Sequence, residues 1–139
     1  MDDRPGLRSV VVDCRDPARL ARFWAETLGW TVQTYNDDDL AWLATRGLTP
    51  ETDPSVGVVP PQPRLPTLWF NRVPEPKVGK VRIHMDVNVP DASGIDRLVG
   101  LGARLLEPNP GGERWTIMAD PEGNEFCVFP LDAEGGTQE

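Results

Sequence analysis

The sequence LRSVVVDCRDPARLARFWAETLGW, residues 7–30, joins a β-branched run to an amphipathic segment with marked ends. Residues 7–13 predict a strand. Asp16 and Pro17 are typical of a helix start, because Asp caps the first free N–H groups and Pro suits the first turn. Gly29 is typical of a left-handed helix end. One face of this helix carries Leu20, Phe23, Trp24 and Leu28, so we expect it to cover a sheet.

The second half of the chain repeats this order. Residues 81–87, which contain His84, predict a strand, and a helix follows that begins after Asp91 and ends at Gly102. Its apolar face is formed by Ile95, Leu98, Val99 and Leu101. Further strands are predicted over 30–35, 40–44, 67–73, 104–107, 115–118 and 125–129. The predicted order is therefore βαβββ, twice, an α+β fold.

Two segments lie outside this repeat. Residues 46–66 are rich in Pro and predict a long loop, a candidate lid, although they contain a short β-branched run at 56–59. The acidic, Gly-rich tail 133–139 is predicted to be disordered. We expect one domain over 1–132, with module one at about 6–74 and module two at about 80–130.

Composition excludes several classes of protein. The 139 residues include 14 Lys and Arg against 22 Asp and Glu, a net charge of −8 that disfavours nucleic acid as a partner. The chain has no apolar run long enough for a membrane span and no secretory leader, so we expect a cytoplasmic protein. Its two cysteines, Cys14 and Cys127, are too few for a disulfide scaffold and are expected to be free thiols.

Several short motifs accompany the repeat: Asp16-Pro17 with Phe23-Trp24, Leu28-Gly29-Trp30, the run 80–86 around His84, and residues 120–128, which begin Asp-Pro-Glu-Gly-Asn-Glu. With the duplicated βαβββ unit they resemble the vicinal-oxygen-chelate superfamily, in its glyoxalase-like branch. That superfamily includes glyoxalase I, extradiol dioxygenases and bleomycin-resistance proteins. The resemblance covers nearly the whole chain and implies a U-shaped half-barrel cleft and a homodimer.

The resemblance also implies where a metal would be held. In metal-using relatives each module contributes one ligand from its first strand and one from its last. Counting back from each helix start and from the proline after each last strand assigns four places: Ser9, Trp69 or Asn71, His84 and Glu125. Two good ligands are fewer than the three that catalytic zinc or iron normally needs. We expect no catalytic metal; a divalent metal, if bound, would use His84 and Glu125.

Without a metal, His84 and Glu125 could still meet on the wall of the cleft. A carboxylate beside an imidazole raises the imidazole pKa and fixes its tautomer, so the pair could serve as a general base or anchor a ligand. Alternatively, His84 is a structural residue bonded to a backbone carbonyl and Glu125 has a structural partner. Cys127 has the same strand parity as Glu125, but without an adjacent base a nucleophilic role is not expected.

The five tryptophans favour a binding site for a planar molecule, because indole rings stack well on such ligands. Trp24 lies on the apolar face of the first helix and is expected in the core. Trp69 is the leading candidate for the cleft. The others, placed on predicted strands, lie in the core or the cleft according to strand register: Trp30, Trp42 and Trp115.

These observations favour a small-molecule binding protein of the glyoxalase/bleomycin-resistance type, without catalytic metal, for a hydrophobic or aromatic ligand that could be an antibiotic. The expected ligand-binding residues are Trp69, Asn71, Ser9, Trp42 and Trp115. The alternative is an enzyme, either a metal-dependent lyase or dioxygenase or a metal-free acid/base catalyst that uses His84 and Glu125.

Overall fold

The computed structural model describes residues 3–132, and the chain forms two compact units, Met1–Pro76 and Lys77–Glu139. The tail 133–139, predicted to be disordered, lies outside the described residues. None of the helices within residues 3–132 has the length and apolar character needed to cross a membrane.

The first unit is a four-stranded sheet in the order β1-β4-β3-β2, with β1 and β4 parallel and the other neighbours antiparallel. Its elements are β1 (Ser9–Cys14), α1 (Pro17–Leu28), β2 (Thr31–Val32), α2 (Asp37–Ala44), a 3-10 turn (Pro50–Thr52), β3 (Ser55–Val59) and β4 (Thr67–Arg72). Helix α1 packs on strands β2, β3 and β4.

The second unit has the same topology, in the order β5-β8-β7-β6 with β5 and β8 parallel. Its elements are β5 (Asp86–Val89), α3 (Ser93–Leu101), β6 (Arg104–Pro108), a 3-10 turn (Pro110–Gly112), β7 (Thr116–Ala119) and β8 (Glu125–Pro130). Both sheets are open rather than closed barrels. The predicted α+β fold with two βαβββ modules is confirmed.

Helix α1 forms as its local sequence predicts. The Asp16 carboxylate accepts from the backbone N–H of Arg19, Pro17 occupies the first turn, and Gly29 has the left-handed φ of 69°. Phe23 and Trp24 meet edge to face, with ring centroids 5.2 Å apart, and both are buried. The core position predicted for Trp24 is therefore confirmed.

Strand β4 alternates between two environments, which sets the position of the site. Leu68 and Phe70 are buried on the face that α1 covers, whereas Thr67, Trp69 and Asn71 are only partly buried. Side chains two residues apart point to the same face of a strand, so the last three share the face opposite α1.

The strand predicted at 40–44 is wrong: these residues lie in helix α2. Asn36 caps the helix by accepting from the backbone N–H of Asp39, 2.8 Å away, and the Asp39 carboxylate accepts from the Asn36 backbone N–H in return. Three aspartates in the first turn also suit the positive end of the helix dipole. The acidic triplet that suggested a turn is thus the first turn of a helix.

The long loop predicted at 46–66 is also wrong, because it contains the third strand of the sheet. Strand β3 pairs with β4 on one side and with β2 on the other. The β-branched run at 56–59 is typical of a strand, but the surrounding prolines favoured the prediction of a loop. The module keeps its four strands, with β3 in place of 40–44.

Smaller differences concern where elements begin and end. The strand predicted over 81–87 begins only at Asp86, so His84 precedes it, and the strand predicted over 30–35 is confined to β2. The N-cap of α3 is Ala92 rather than Asp91, although the Asp91 carboxylate accepts from the backbone and side chain of Ser93. Gly102 ends α3 with a φ of 120°, outside the left-handed helical region predicted for it.

Candidate functional site

The first unit contains a cavity of ≈ 330 Å³ on the sheet face opposite α1. Three aromatic side chains line it: Tyr35 from the segment after β2, Trp42 from α2 and Trp69 from β4. Leu43 and Pro54 add apolar wall, while Gln33, Asp39, Asp53 and Ser55 add polar groups. A wall that combines aromatic and apolar side chains with a small number of polar groups is typical of small-molecule sites.

Trp42 is unusually exposed for its size, at 55%. It lies on α2, and the Arg46 guanidinium lies 3.9 Å from its ring centroid. This contact is a cation–π interaction, which both orients the ring and covers part of it. The Trp42 ring at the edge of the cavity is therefore oriented by Arg46 and still partly exposed to solvent.

Trp69 lies across the neighbouring strand, where Gly57 is its register partner on β3. A Cβ placed on Gly57 would lie 3.0 Å from two atoms of the Trp69 ring, so the glycine leaves room for the indole to lie on the sheet. A glycine inside a strand often marks such a close approach.

Gln33 presents a donor of defined orientation. Its side-chain oxygen accepts from the backbone N–H of Gly57, 2.5 Å away. Because a backbone N–H can only donate, the Gln33 atom that contacts it is the amide oxygen. The amide NH₂ group of Gln33 remains as a hydrogen-bond donor. The cavity wall thus includes a primary amide held at one end.

Asp53 is a buried carboxylate on the cavity wall, 8% exposed. It accepts from the Tyr35 hydroxyl at 2.8 Å and from the backbone N–H of Ser55 at 3.0 Å. Burial and the Asp53 carboxylate raise the pKa of Tyr35 well above its ordinary value. Tyr35 therefore stays a neutral hydrogen-bond donor at physiological pH.

The structure brings together only some of the predicted ligand-binding residues. Trp69 and Trp42 line the same cavity. Asn71 lies beside it, because its side-chain oxygen accepts from the hydroxyl of the lining residue Ser55 at 2.7 Å. Ser9 begins β1 opposite Thr67. Trp115 belongs to the second unit, where its ring centroid lies 5.6 Å from that of Phe129.

The sequence did not predict Gln33, Tyr35 or Asp53 as ligand-binding residues. Tyr35 and Asp53 are 18 residues apart, and Gln33 bonds Gly57 across 24 residues. The pattern Asn36-Asp-Asp-Asp39 was the available signal, since a capping box there places a helix directly after Tyr35.

In the second unit His84 has a different carboxylate from the one expected. Its Nδ1 lies 3.1 Å from Asp86 Oδ1. Glu125 instead accepts from the backbone N–H of Val81 at 3.2 Å and lies 3.4 Å from the Lys77 ammonium. Among residues 3–132, His84 and Glu125 make no ion pair, because each is engaged by a nearer partner.

The environment of Glu125 keeps it ionised. Burial opposes the charge, but hydrogen bonds from its own backbone N–H and that of Val81, with the Lys77 ammonium, outweigh burial and lower its pKa. The carboxylate is therefore held by Lys77 and by backbone N–H groups rather than by His84.

Cys127 lies close to His84 and Asp86. One ligand atom from each of the three residues lies within 4.8 Å of the other two. Burial and the neighbouring Asp86 carboxylate raise the pKa of the Cys127 thiol. A raised pKa favours the protonated thiol over the nucleophilic thiolate.

Strand register corrects the correspondence between the modules. Val12 and Val87 each lie four residues before the aspartate that precedes the helix, and they pair with Phe70 and Val128. Trp69 therefore corresponds to Cys127, while Glu125 corresponds to Thr67. Counting from the prolines was off by two residues, because β8 extends to its proline whereas β4 ends two residues before Pro74.

With this correction, the inherited metal places hold Ser9, Thr67, His84 and Glu125. Two hydroxyl groups are weak ligands for divalent transition metals. The carboxylate of Glu125 is also engaged by Lys77 and Val81. These four residues do not fit the metal of the superfamily.

A family model described as a glyoxalase-like domain matches residues 9–129. No curated protein matches the chain. Among solved structures, the chain is similar to a glyoxalase/bleomycin resistance protein/dioxygenase family enzyme from Burkholderia phytofirmans. The identity is 16% and the TM-score 0.56, over 89% of this chain and 97% of that one.

Two further solved structures are similar. The fosfomycin resistance protein FosX from Mesorhizobium loti has 16% identity and a TM-score of 0.56, over 92% of this chain and 91% of that one. The trypanothione-dependent glyoxalase I of Leishmania major has 17% identity and a TM-score of 0.55, over 92% and 87%. At such low identity these likenesses establish the fold alone.

Proposed function

We propose that this chain, which belongs to the glyoxalase-like family of the vicinal-oxygen-chelate superfamily, binds a small planar aromatic molecule in the cavity of its first unit. The observation that carries the proposal is the meeting of Tyr35, Trp42 and Trp69 around ≈ 330 Å³. Aromatic rings stack on planar ligands and bury a large apolar area at little conformational cost. This binding requires no metal.

Exposure of the rings supports this role over a purely structural one. A tryptophan that serves the core is buried, as Trp24 is at 3% exposure. Trp42 is 55% exposed on a short helix, and Trp69 is only partly buried. Leaving indole surface in water has a cost in free energy, which a stacked ligand would remove.

Charge narrows the class of ligand. Within the described residues, the cavity wall includes the carboxylates of Asp39 and Asp53 and no Lys or Arg. The Arg46 guanidinium lies over the Trp42 ring at the edge of this cavity. With two carboxylates against this guanidinium, an anionic group on the ligand is disfavoured and a neutral or cationic ring system fits better. The Gln33 amide and the buried Asp53 would orient polar groups of the ligand.

Two of the similar solved structures are named for antibiotic resistance. Antibiotics that carry a planar aromatic ring are therefore the first compounds to test, and sequestration of such a compound is the cellular role we propose. A homodimer and a cytoplasmic location remain predictions.

The test is a thermal-stability screen of planar aromatic compounds, followed by titration with tryptophan fluorescence. A ligand present at 100 times its Kd adds about 2.7 kcal/mol to the free energy of unfolding. Trp69→Ala should weaken binding by about 1 kcal/mol or more, about fivefold, through lost stacking and burial. Binding should persist after treatment with a chelator.

Trp115→Ala is the matched control, because it removes an indole from the second unit. It should leave the affinity unchanged. If Trp69→Ala lowers stability but leaves the affinity unchanged, Trp69 is a structural residue and the proposed site is wrong.

A further inference from the structure

We propose that the second unit binds a divalent transition metal ion through His84, Asp86 and Cys127. The three donors are an imidazole nitrogen, a carboxylate oxygen and the Cys127 sulfur, which loses its proton when it binds a metal ion. One ligand atom of each lies within 4.8 Å of the others. His84 Nδ1 and Asp86 Oδ1 are already 3.1 Å apart. Only His84 belongs to the places inherited from the superfamily, so this ligand set is different from the inherited one.

Backbone pairing holds the three residues near one another. Asp86 and Cys127 are register partners on the adjacent parallel strands β5 and β8. The backbone N–H of Cys127 donates to the carbonyl of Met85 at 2.9 Å, which ties the segment carrying His84 to the same strand. Two ligands thus come from paired strands and the third from a segment attached to them.

The spacing suits a tetrahedral ion after small movements. Metal–ligand bonds of about 2.0 to 2.3 Å place tetrahedral ligand atoms about 3.3 to 3.8 Å apart, so no pair has to close by more than about 1.5 Å. The side chains of His84 and Asp86 are 42% and 51% exposed, which gives them freedom to rotate. Their exposure also gives an ion a path from solvent and leaves a fourth position for water.

Donor chemistry selects the ion. Magnesium and calcium prefer sets made of oxygen ligands, whereas thiolate and imidazole prefer zinc and related ions. A set with one nitrogen, one oxygen and one sulfur therefore favours Zn²⁺, with Co²⁺ as a spectroscopic substitute. The site does not share residues with the cavity of the first unit, so it is independent of the proposed function.

The test uses the full chain without an affinity tag, treated with a chelator and kept reduced. Titration with Co²⁺ should give one equivalent of bound ion, visible bands typical of tetrahedral cobalt, and a near-ultraviolet band from thiolate-to-cobalt charge transfer. Zn²⁺ should displace the cobalt. Cys127→Ser should abolish the charge-transfer band, and His84→Gln and Asp86→Asn should each weaken Zn²⁺ binding about tenfold or more.

Two variants serve as controls. Cys14→Ala removes the other cysteine and should leave the spectrum unchanged, and Glu125→Gln should leave Zn²⁺ affinity within a factor of two. His84 is the only histidine, so its ring resonances in the unmutated chain report metal binding without any variant. They should shift on addition of one equivalent of Zn²⁺.

Three outcomes would overturn the proposal. The first is that the unmutated chain shows neither a cobalt charge-transfer band nor a shift of the His84 resonances. The second is that a folded Cys127→Ser protein keeps the band. The third is that Glu125→Gln abolishes binding while Cys127→Ser does not, which would assign the ion to the inherited places instead.

Discussion

Strands β4 and β8 occupy the same place in the two units, and they are alike on one face and different on the other. On one face both strands bury large apolar residues, Leu68 and Phe70 in one and Phe126 and Val128 in the other. On the opposite face Trp69 corresponds to Cys127. The buried face must satisfy the packing of the fold, whereas the other face is free to differ, and there the two units have different chemistry.

The connections between strands differ as well. In the first unit helix α2 stands between β2 and β3 and supplies Asp39, Trp42 and Leu43 to the cavity wall. In the second unit the 3-10 turn Pro110–Gly112 connects β6 to β7. The same topology therefore carries an aromatic cavity in one unit and, in the other, the His84, Asp86 and Cys127 group for which we propose a metal ion.

The largest expected effect contrasts the two faces of β4. Phe70→Ala removes a ring with no exposed surface and should lower the free energy of unfolding by about 3 to 5 kcal/mol. Trp69→Ala should lower it by less, because its ring is only partly buried. Chemical denaturation measures both values. Equal losses would mean that both faces of β4 are structural and would remove the contrast between them.

The next effect concerns the glycine under the Trp69 ring. Gly57→Ala should displace the indole and lower the free energy of unfolding by about 1 to 3 kcal/mol, since the new methyl group would overlap the ring. Near-ultraviolet circular dichroism should change with it. Gly79→Ala is the control, because a Cβ there meets no atom within 4 Å. An unchanged spectrum in Gly57→Ala would mean that the ring does not lie on β3.

A smaller effect tests helix α2, which has no counterpart between β6 and β7 of the second unit. Asn36→Ala removes the cap of α2 and should cost about 1 kcal/mol of stability. It should also weaken ligand binding, because Trp42 and Asp39 lie on this helix. Thr34→Ala, at an exposed position before the cap, should change stability by less than about 0.5 kcal/mol. Similar losses in the two variants would contradict the capping role of Asn36.

The last prediction concerns how stability depends on pH through Tyr35, a dependence that appears only at high pH. Its pKa in the folded protein is above the value near 10 expected when unfolded, so its contribution to stability is fully present below pH 10. That contribution is lost as pH rises toward the folded pKa. Because Tyr35 is the only tyrosine, ultraviolet titration of the phenolate follows it directly. Asp53→Asn should lower the midpoint of the phenolate titration. A midpoint near 10 that is the same in both proteins would exclude the hydrogen bond between Tyr35 and Asp53.

Local signals explain why much of the fold could be predicted. The helix start at Asp16-Pro17, its end at Gly29 and the apolar face of α1 depend on residues within a few turns of one another. The duplicated order of elements repeats such signals, so both modules could be recognised. The same logic failed at 40–44, where strand-like composition competed with a capping box at Asn36 and Asp39.

The candidate site was less predictable. Trp69 and Trp42 were identified because large aromatic residues are scarce and their possible roles are few. The other polar and aromatic residues of the cavity, Gln33, Tyr35 and Asp53, were not identified. Such common residues join a binding site only through contacts that strand pairing creates. Asp53 lies two residues before β3 and accepts from Tyr35, in a segment that the sequence predicted to be a loop.

By itself, the sequence determined the repeat, the helix α1 and the apolar face with which α1 packs on its sheet, because hydrophobic periodicity and capping act between near neighbours along the chain. Tertiary structure decided the rest: that Gln33 bonds Gly57, that Glu125 bonds Val81, and that His84 lies beside Asp86 and Cys127. Those contacts depend on strand register, and a shift of two residues keeps every side chain on its face while changing every partner.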